Sequence, residues 1–333
     1  MSKDPNPAVP SGPWTLVLGM HRSGTSAITG ALAGLGFRTP AADDRMDWPE
    51  SNPEHWESLS MTVYDDDLLE ALGGSWREPP ELPPDWASSS SARAMPDPAK
   101  ALAASFAGSG PVVWKDPRLC LLLPFWRPYL PPPLAAILIW REPVAVATSL
   151  QKRDAMPLLD GIALWERYNR SALSNLAGTA TFVCSFESLV KDPTGVLGPL
   201  MAWLSSLPSY AGCAATWDLD QAVAGIADGP AKDLDGDDTL LPQQVDLVAH
   251  LTELAGGHTD LPEIPLGTES PWTGALLTAR RENHAYRIEG LETELGYART
   301  ELERLRNSTS WKVTSPLRAV VTAVQAKVTS RNR

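Results

Sequence analysis

The chain has 333 residues and a formal net charge of −12, from 28 basic and 40 acidic side chains. That balance excludes generic nucleic-acid binding, which needs a broad basic footprint. Hydrophobic residues make up 43% of the chain, enough to bury a full core, and no apolar run reaches membrane-spanning length. Cys120, Cys184 and Cys213 lack metal-ligand spacing and read as buried free thiols, so a reducing cytoplasm is expected and no metal site.

Residues 1–13 are polar and Pro-rich with no apolar h-region, and are expected to be disordered. A strand follows at Thr15 to Leu18, then Gly19-Met20-His21-Arg22-Ser23-Gly24-Thr25-Ser26, then a helical pattern from Ser26 to Leu35. This is the form of a phosphate-binding loop, except that Thr25 occupies the position of the lysine that reaches the β/γ-phosphates in nucleotide-hydrolysing loops. The backbone N–H groups of such a turn, with a helix N-terminus behind them, still cradle an anion. Charge on a terminal group would then fall to Arg22, the cation inside the loop.

Residues 40–100 are crowded with Pro, Ser and Trp, including Trp48, Trp56, Trp76 and Trp86. Indoles in such turns either pack loops or offer flat faces to a sugar ring. Asp43, Asp44 and Glu50 read as solvated charge ahead of Asn52-Pro53-Glu54-His55-Trp56-Glu57. A second short apolar strand, Val112 to Trp114, ends in Lys115-Asp116-Pro117-Arg118, where Lys115 and Asp116 also fit a solvated surface pair. A third, Ala135 to Trp140, ends in Arg141 and runs into a helix from Val144 to Lys152, with Ser149 eight positions after Arg141 and about two helical turns in. Ligands bind outside the carboxyl ends of strands in parallel sheets, and each of these motifs lies at such an end.

Taken together, these segments resemble the sulfotransferase family. The resemblance implies 3′-phosphoadenosine-5′-phosphosulfate as donor, with Arg22, Ser23, Gly24, Thr25 and Ser26 holding the 5′-phosphosulfate and Arg141 with Ser149 holding the 3′-phosphate. Lys115 maps onto a lysine that helps the leaving phosphate depart. Some members carry a catalytic His two residues later, but here that position is Pro117, so the base must come from elsewhere. Asn52 to Glu57 looks like the N-P-x-G-Y-W-E segment of bacterial and carbohydrate-directed members, which makes Glu57 the first candidate for the proton acceptor, with His55 and Glu54 behind it. Direct in-line transfer without a metal is what the resemblance implies.

The resemblance continues through Ala163 to Asn169 and through Phe182 to Pro193, where Phe186 replaces a frequent tyrosine, and spans residues 14 to about 205. A fourth strand at Thr181 to Cys184 and helices at Asp160 to Leu176 and Thr194 to Leu204 complete an α/β reading: a P-loop-like parallel sheet flanked by helices. Asp233 to Asp238 lacks calcium-loop spacing and reads as a solvated acidic loop.

Beyond residue 260 a linker is expected over 261–279, then a short coiled-coil helix over 280–306, because Ile288, Leu291, Leu295, Ala298, Leu302 and Leu305 alternate three and four apart. A docking helix or a homodimer seam fits this spacing equally. Residues 307–333 form a basic tail with no acid, in which Ser308 to Arg318 resembles a motif that follows coiled coils in bacterial glycosyltransferases. Such a tail suits an anionic inner membrane face or a polysaccharide-assembly partner, and a disordered tail suits the same composition. The domain at 14–260 is thus expected to sulfate a hydroxyl of a carbohydrate or lipid-linked glycan. An ATP-dependent phosphoryl transferase and a non-catalytic scaffold remain the competing classes.

Overall fold

The computed structural model describes residues 12–46, 56–106, 108–226 and 239–307. In chain order the elements are β1 (Trp14–Leu18), α1 (Thr25–Gly34), α2 (Leu59–Ala71), α3 (Ser90–Arg93), α4 (Pro98–Ser105), β2 (Val112–Lys115), α5 (Leu119–Trp126), β3 (Leu134–Trp140), α6 (Pro143–Asp154) and α7 (Leu158–Leu176). Then come β4 (Ala180–Ser185), α8 (Phe186–Lys191), α9 (Pro193–Ser206), α10 (Leu219–Ala224), α11 (Pro242–Glu253), β5 (Gly256–His258) and α12 (Pro271–Asn307).

The sheet order is β2-β1-β3-β4-β5, with β1 to β4 parallel and β5 antiparallel to β4. Every residue of β1 and β2 is buried, because a parallel strand covered on both faces must be apolar on both. Leu16 and Leu18 point into one core with Met61 and Leu68 of α2, Leu122 of α5 and Leu164 of α7. Val17, Val113 and Ile137 point into the other, with Ile28 and Leu32 of α1 and Leu200 and Leu204 of α9. The result is a three-layer α/β domain, as the strand and helix pattern predicts.

Local sequence explains the helix that follows β3. Pro143 opens α6 with its φ already helical, and the Glu142 carboxylate caps it by accepting from Val144 N at 3.1 Å and Ala145 N at 2.7 Å. In α7, Ile162, Trp165, Glu166, Asn169, Leu173 and Leu176 share the buried face at helical spacing.

The chain divides into two units, Met1–Thr278 and Ala279–Arg333. The stretch expected as a linker, 261–279, falls in the first unit up to residue 278 and is fastened to it. Leu261 is buried and its N–H donates to Thr179 O at 3.0 Å. The fully buried Glu166 carboxylate accepts from Ser270 N at 2.9 Å, Ser270 Oγ at 2.8 Å, Thr273 Oγ1 at 2.8 Å and Gln244 Nε2 at 3.1 Å, while pairing with Arg170 at 2.9 Å. Arg167 grips Glu269 with both guanidinium arms at 2.5 and 2.7 Å. Proline-rich composition fits a free connector, but Glu269, Ser270 and Thr273 find partners on α7.

The helix expected at 280–306 belongs to α12, which begins earlier at Pro271. The coiled-coil seam positions fall on α12, whereas the tail at 308–333 and the acidic stretch Asp233 to Asp238 lie outside the described residues. No helix among the described residues is long and apolar enough to cross a membrane. Cys120 and Cys184 are buried and Cys213 is half-buried, all with free thiols, and burial pushes the Cys120 and Cys184 thiols up to about 12.

Replacing Glu166 with Ala removes the shared acceptor of Ser270, Thr273 and Gln244 and leaves the Arg170 guanidinium without its carboxylate. The expected cost is about 3–5 kcal/mol in urea unfolding, with new proteolytic cleavage within residues 261–270; unchanged unfolding and cleavage would refute this anchoring.

Candidate functional site

β1, β2, β3 and β4 present their carboxyl ends along one edge of the sheet, and the loops leaving them carry the candidate residues. Gly19 begins the first loop at φ +156°, and a Cβ there would stand 2.2 Å from the Ile139 carbonyl oxygen of β3. The chain then turns through left-handed Arg22 (φ 72°) and Gly24 (φ 90°), with Ser23 N donating to Met20 O at 3.0 Å. Gly24 is the N-cap of α1 and no side chain caps that helix, so the loop offers backbone N–H groups and a positive helix end to an anion. The Phe186 ring closes on Gly24: a Cβ there would meet Phe186 Cδ2 at 2.2 Å. Thr25 and Ser26 form the first turn of α1, Thr25 buried and Ser26 half-buried.

Arg141 and Ser149, more than a hundred residues beyond Arg22 in sequence, converge with it on this loop. Arg22 Nε donates to Ser149 Oγ at 2.9 Å, and Arg141 Nη1 donates to Arg22 O at 3.3 Å. Arg141 lies over the Phe186 ring, its guanidinium carbon 4.8 Å from the centroid. Its backbone oxygen accepts from Trp165 Nε1 at 2.8 Å, which fixes the strand end. Glu187 approaches Arg141 Nε only to 3.9 Å, and that nitrogen has no hydrogen-bond partner among the described residues. Burial lowers the pKa of both guanidinium groups, and for Arg22 the neighbouring Arg153 and Arg141 charges add to the shift. A buried cluster of like charge is relieved by an anion bound among its members.

The β2 side is also charged but largely self-compensated. Lys115 and Glu57 are both buried and form an ion pair, so the alternative reading of Lys115 and Asp116 as a solvated surface pair does not hold. Asp116 instead pairs with Arg118 at 3.1 Å, and Arg118 grips Asp66 through Nε at 2.7 Å and Nη2 at 3.1 Å. The motif concealed this because strand alternation turns Lys115 inward and the partner lies 58 residues away. Burial, followed by repulsion from Asp116, pushes the Asp65 carboxyl well above the usual carboxylate range, while Trp126 Nε1 donates to its Oδ1 at 2.7 Å. Asp116 is raised chiefly by burial, against the Arg118 charge.

Of the other proton-acceptor candidates, His55 and Glu54 lie outside the described residues, as does Glu50. Asp44 accepts from the Ser58 and Ser60 hydroxyls and from Ser60 N at 2.9 Å, a role in holding the start of α2. Asp43 is exposed.

The tryptophans offered as sugar platforms are mostly covered. Trp86 is buried, and Trp48 lies outside the described residues. Trp76 packs on the His21 ring with centroids 4.4 Å apart, while Arg77 and Arg153 lie over its ring at 4.9 and 5.6 Å. Trp56 is half-buried beneath the Arg45 guanidinium at 4.8 Å.

His21 is the residue that sequence reasoning passed over. It sits inside the loop next to Arg22, 8% exposed, and its Nε2 has no hydrogen-bond partner among the described residues. Ser23 Oγ is likewise buried and unpartnered. A histidine beside the loop arginine was the available signal, but nothing in the spacing showed that its ring would be buried.

No protein-family model and no curated protein matches the chain. Among solved structures, the chain is similar to the sulfotransferase domain from the curacin biosynthetic pathway, at 15% identity and a TM-score of 0.39, over 81% of this chain and 97% of that one. It is also similar to the sulfotransferase domain from the Synechococcus PCC 7002 olefin synthase, at 16% identity and a TM-score of 0.36, over 84% of this chain and 98% of that one.

Because folding raises the Asp65 pKa, the folded chain keeps a proton that the unfolded chain has released. The associated stability is complete below the ordinary carboxylate pKa and is lost as pH rises through the folded value. Asp65→Asn keeps an acceptor for Trp126 and abolishes that loss. Its advantage in chemical unfolding should grow as pH rises above the ordinary carboxylate range; a difference that stays constant with pH would refute the raised pKa.

Proposed function

We propose that this chain is a sulfotransferase that moves a sulfuryl group from 3′-phosphoadenosine-5′-phosphosulfate to a hydroxyl. The observation that carries the reading is the half-buried, anion-seeking cluster at the strand ends. Arg22, Arg141 and Ser149 meet there around an uncapped helix, and His21 Nε2, Ser23 Oγ and Arg141 Nε are buried with no partner among the described residues. Buried polar atoms without partners are costly, and a polyanionic ligand would satisfy all of these at once. The residues present therefore fit the donor.

In this reading the backbone from Arg22 to Ser26 holds the 5′-phosphosulfate, and Arg141 with Ser149 holds the 3′-phosphate. The acceptor oxygen attacks sulfur as the bond from sulfur to the bridging oxygen breaks, and that electron pair leaves on the 5′-phosphate. Lys115 stabilises the negative charge gathering there, and Glu57, its neighbour in the buried pair, takes the hydroxyl proton. With Thr25 in place of the loop lysine, the pocket has lost the cation that an ATP-dependent phosphoryl transferase directs at its terminal phosphates.

The acceptor we assign is a hydroxyl of a carbohydrate or lipid-linked glycan, which rests on the sequence of residues 52–57 and of the tail. That tail would also hold the protein at the inner membrane face or on a polysaccharide-assembly partner, and the spacing of α12 allows a homodimer.

Calorimetric titration with adenosine 3′,5′-bisphosphate, beside magnesium-ATP, tests the donor. Metal-independent binding of the bisphosphate is expected, weakened by about 10- to 100-fold in Arg141→Ala through loss of charge-assisted hydrogen bonds. Preference for magnesium-ATP, indifferent to that substitution, would overturn the reading. In the same assay Glu57→Gln should keep bisphosphate affinity within about threefold while sulfuryl transfer falls by about 100-fold or more; a fully active variant would move the base elsewhere.

A further inference from the structure

We propose that His21 is a sulfuryl-binding residue of this site, its imidazole neutral and protonated at Nε2 so that the N–H donates to a non-bridging oxygen of the transferred group. The inference rests on the donor reading above and deepens it.

The ring cannot readily turn away from the loop. It packs on Trp76 at 4.4 Å between centroids and meets Tyr168 edge-on at 6.0 Å, and the Tyr168 hydroxyl is tied to Trp76 O at 2.9 Å. Met20 on one side is buried in the core, and Arg22 on the other is held by Ser149. A polar atom held in this way beside an anion loop, buried and without a hydrogen-bond partner among the described residues, is suited to a ligand atom that complements it.

The surroundings select which kind of atom. Burial first, and then the charges of Arg118, Arg153, Lys115 and Arg22, hold the imidazole well below its ordinary pKa and so neutral. A cationic setting of this kind favours an anionic oxygen as the ligand atom and opposes taking up a proton, so His21 donates a hydrogen bond and leaves the acceptor proton to Glu57. The division of labour is then complete: Lys115 serves the bridging oxygen, Glu57 the proton, and His21 an oxygen that stays on sulfur throughout. A neutral donor places no further full charge among cations already crowded together.

The contact exists only with the sulfuryl-bearing ligand, so paired affinities isolate it. For the wild type, His21→Phe and His21→Gln, dissociation constants would be measured for 3′-phosphoadenosine-5′-phosphosulfate and for adenosine 3′,5′-bisphosphate. Phe keeps the stacking on Trp76 and removes the donor, whereas Gln places an amide N–H near the lost Nε2. His21→Phe should weaken the sulfated ligand about tenfold or more while changing the bisphosphate less than about twofold, and His21→Gln should recover the sulfated ligand to within about threefold. Equal losses for both ligands, or no loss for either, would overturn the proposal by making His21 a packing residue. A selective loss that Gln does not restore would also overturn it, because the discrimination would then not come from an N–H donor at this position. If the wild type binds neither ligand, the donor reading itself fails and this inference falls with it.

Discussion

The site depends on how closely β1 can approach β3 at its carboxyl end. The carbonyl oxygen of Ile139 occupies the place where any side chain at residue 19 would begin, so only glycine lets the chain leave β1 here. Beyond Gly19 the loop stays against the end of β3, and this brings Arg22 O within reach of Arg141 and Arg22 Nε within reach of Ser149 on α6. A bulkier residue would separate the two strands and move Arg22 away from Arg141 and Ser149, which the β3–α6 connection already holds near each other. The left-handed turn at Arg22 is the second part of the same device, because it carries the guanidinium to α6 while α1 starts uncapped.

An acidic protein thus keeps a cationic interior on one edge, and its charges are arranged in two halves. On the β2 side, Lys115 meets Glu57, and Arg118 meets Asp116 and Asp66, so positive charge there is met by carboxylates. On the β3 side, Arg22 meets a hydroxyl and Arg141 meets a backbone oxygen and an aromatic face, with Glu187 held at 3.9 Å. The second half has room for anionic groups without displacing an existing ion pair. Breaking a buried pair would leave one charge uncompensated, a penalty that the β3 side does not carry.

Much of this was legible in the sequence, for physical reasons. Parallel strands buried on both faces appear as apolar runs, so β1, β2, β3 and β4 could be placed within a residue or so, and the residues at their ends share an edge by topology alone. What escaped were elements whose burial rests on long-range partners. The helix α2 carries Asp65, Asp66 and Asp67 in succession and lacks a clean apolar stripe, yet Asp65 is buried beneath Trp126 and Asp66 holds Arg118. Glu166 would be a solvated charge by composition, but it organises residues 270–273 from the buried face of α7. His21 and the Glu57–Lys115 pair belong to the same class. A sequence lists residue types, and only packing decides which charges lose water.

The displaced cation gives the site its character. In a lysine loop the charge sits on the first turn of the helix, above the backbone cradle, and addresses the terminal phosphates of a nucleotide. Here Thr25 holds that place with a buried, uncharged side chain, and the nearest loop cation, Arg22, is carried sideways to α6. The cradle keeps its N–H groups, and the side-chain cations lie at its flanks, Arg22 with Arg141 on one and Lys115, paired with Glu57, on the other. A ligand matched to that pattern has separated anionic groups at its ends and a less heavily charged centre over the cradle. A triphosphate, with its charge crowded at the terminus, does not have that distribution.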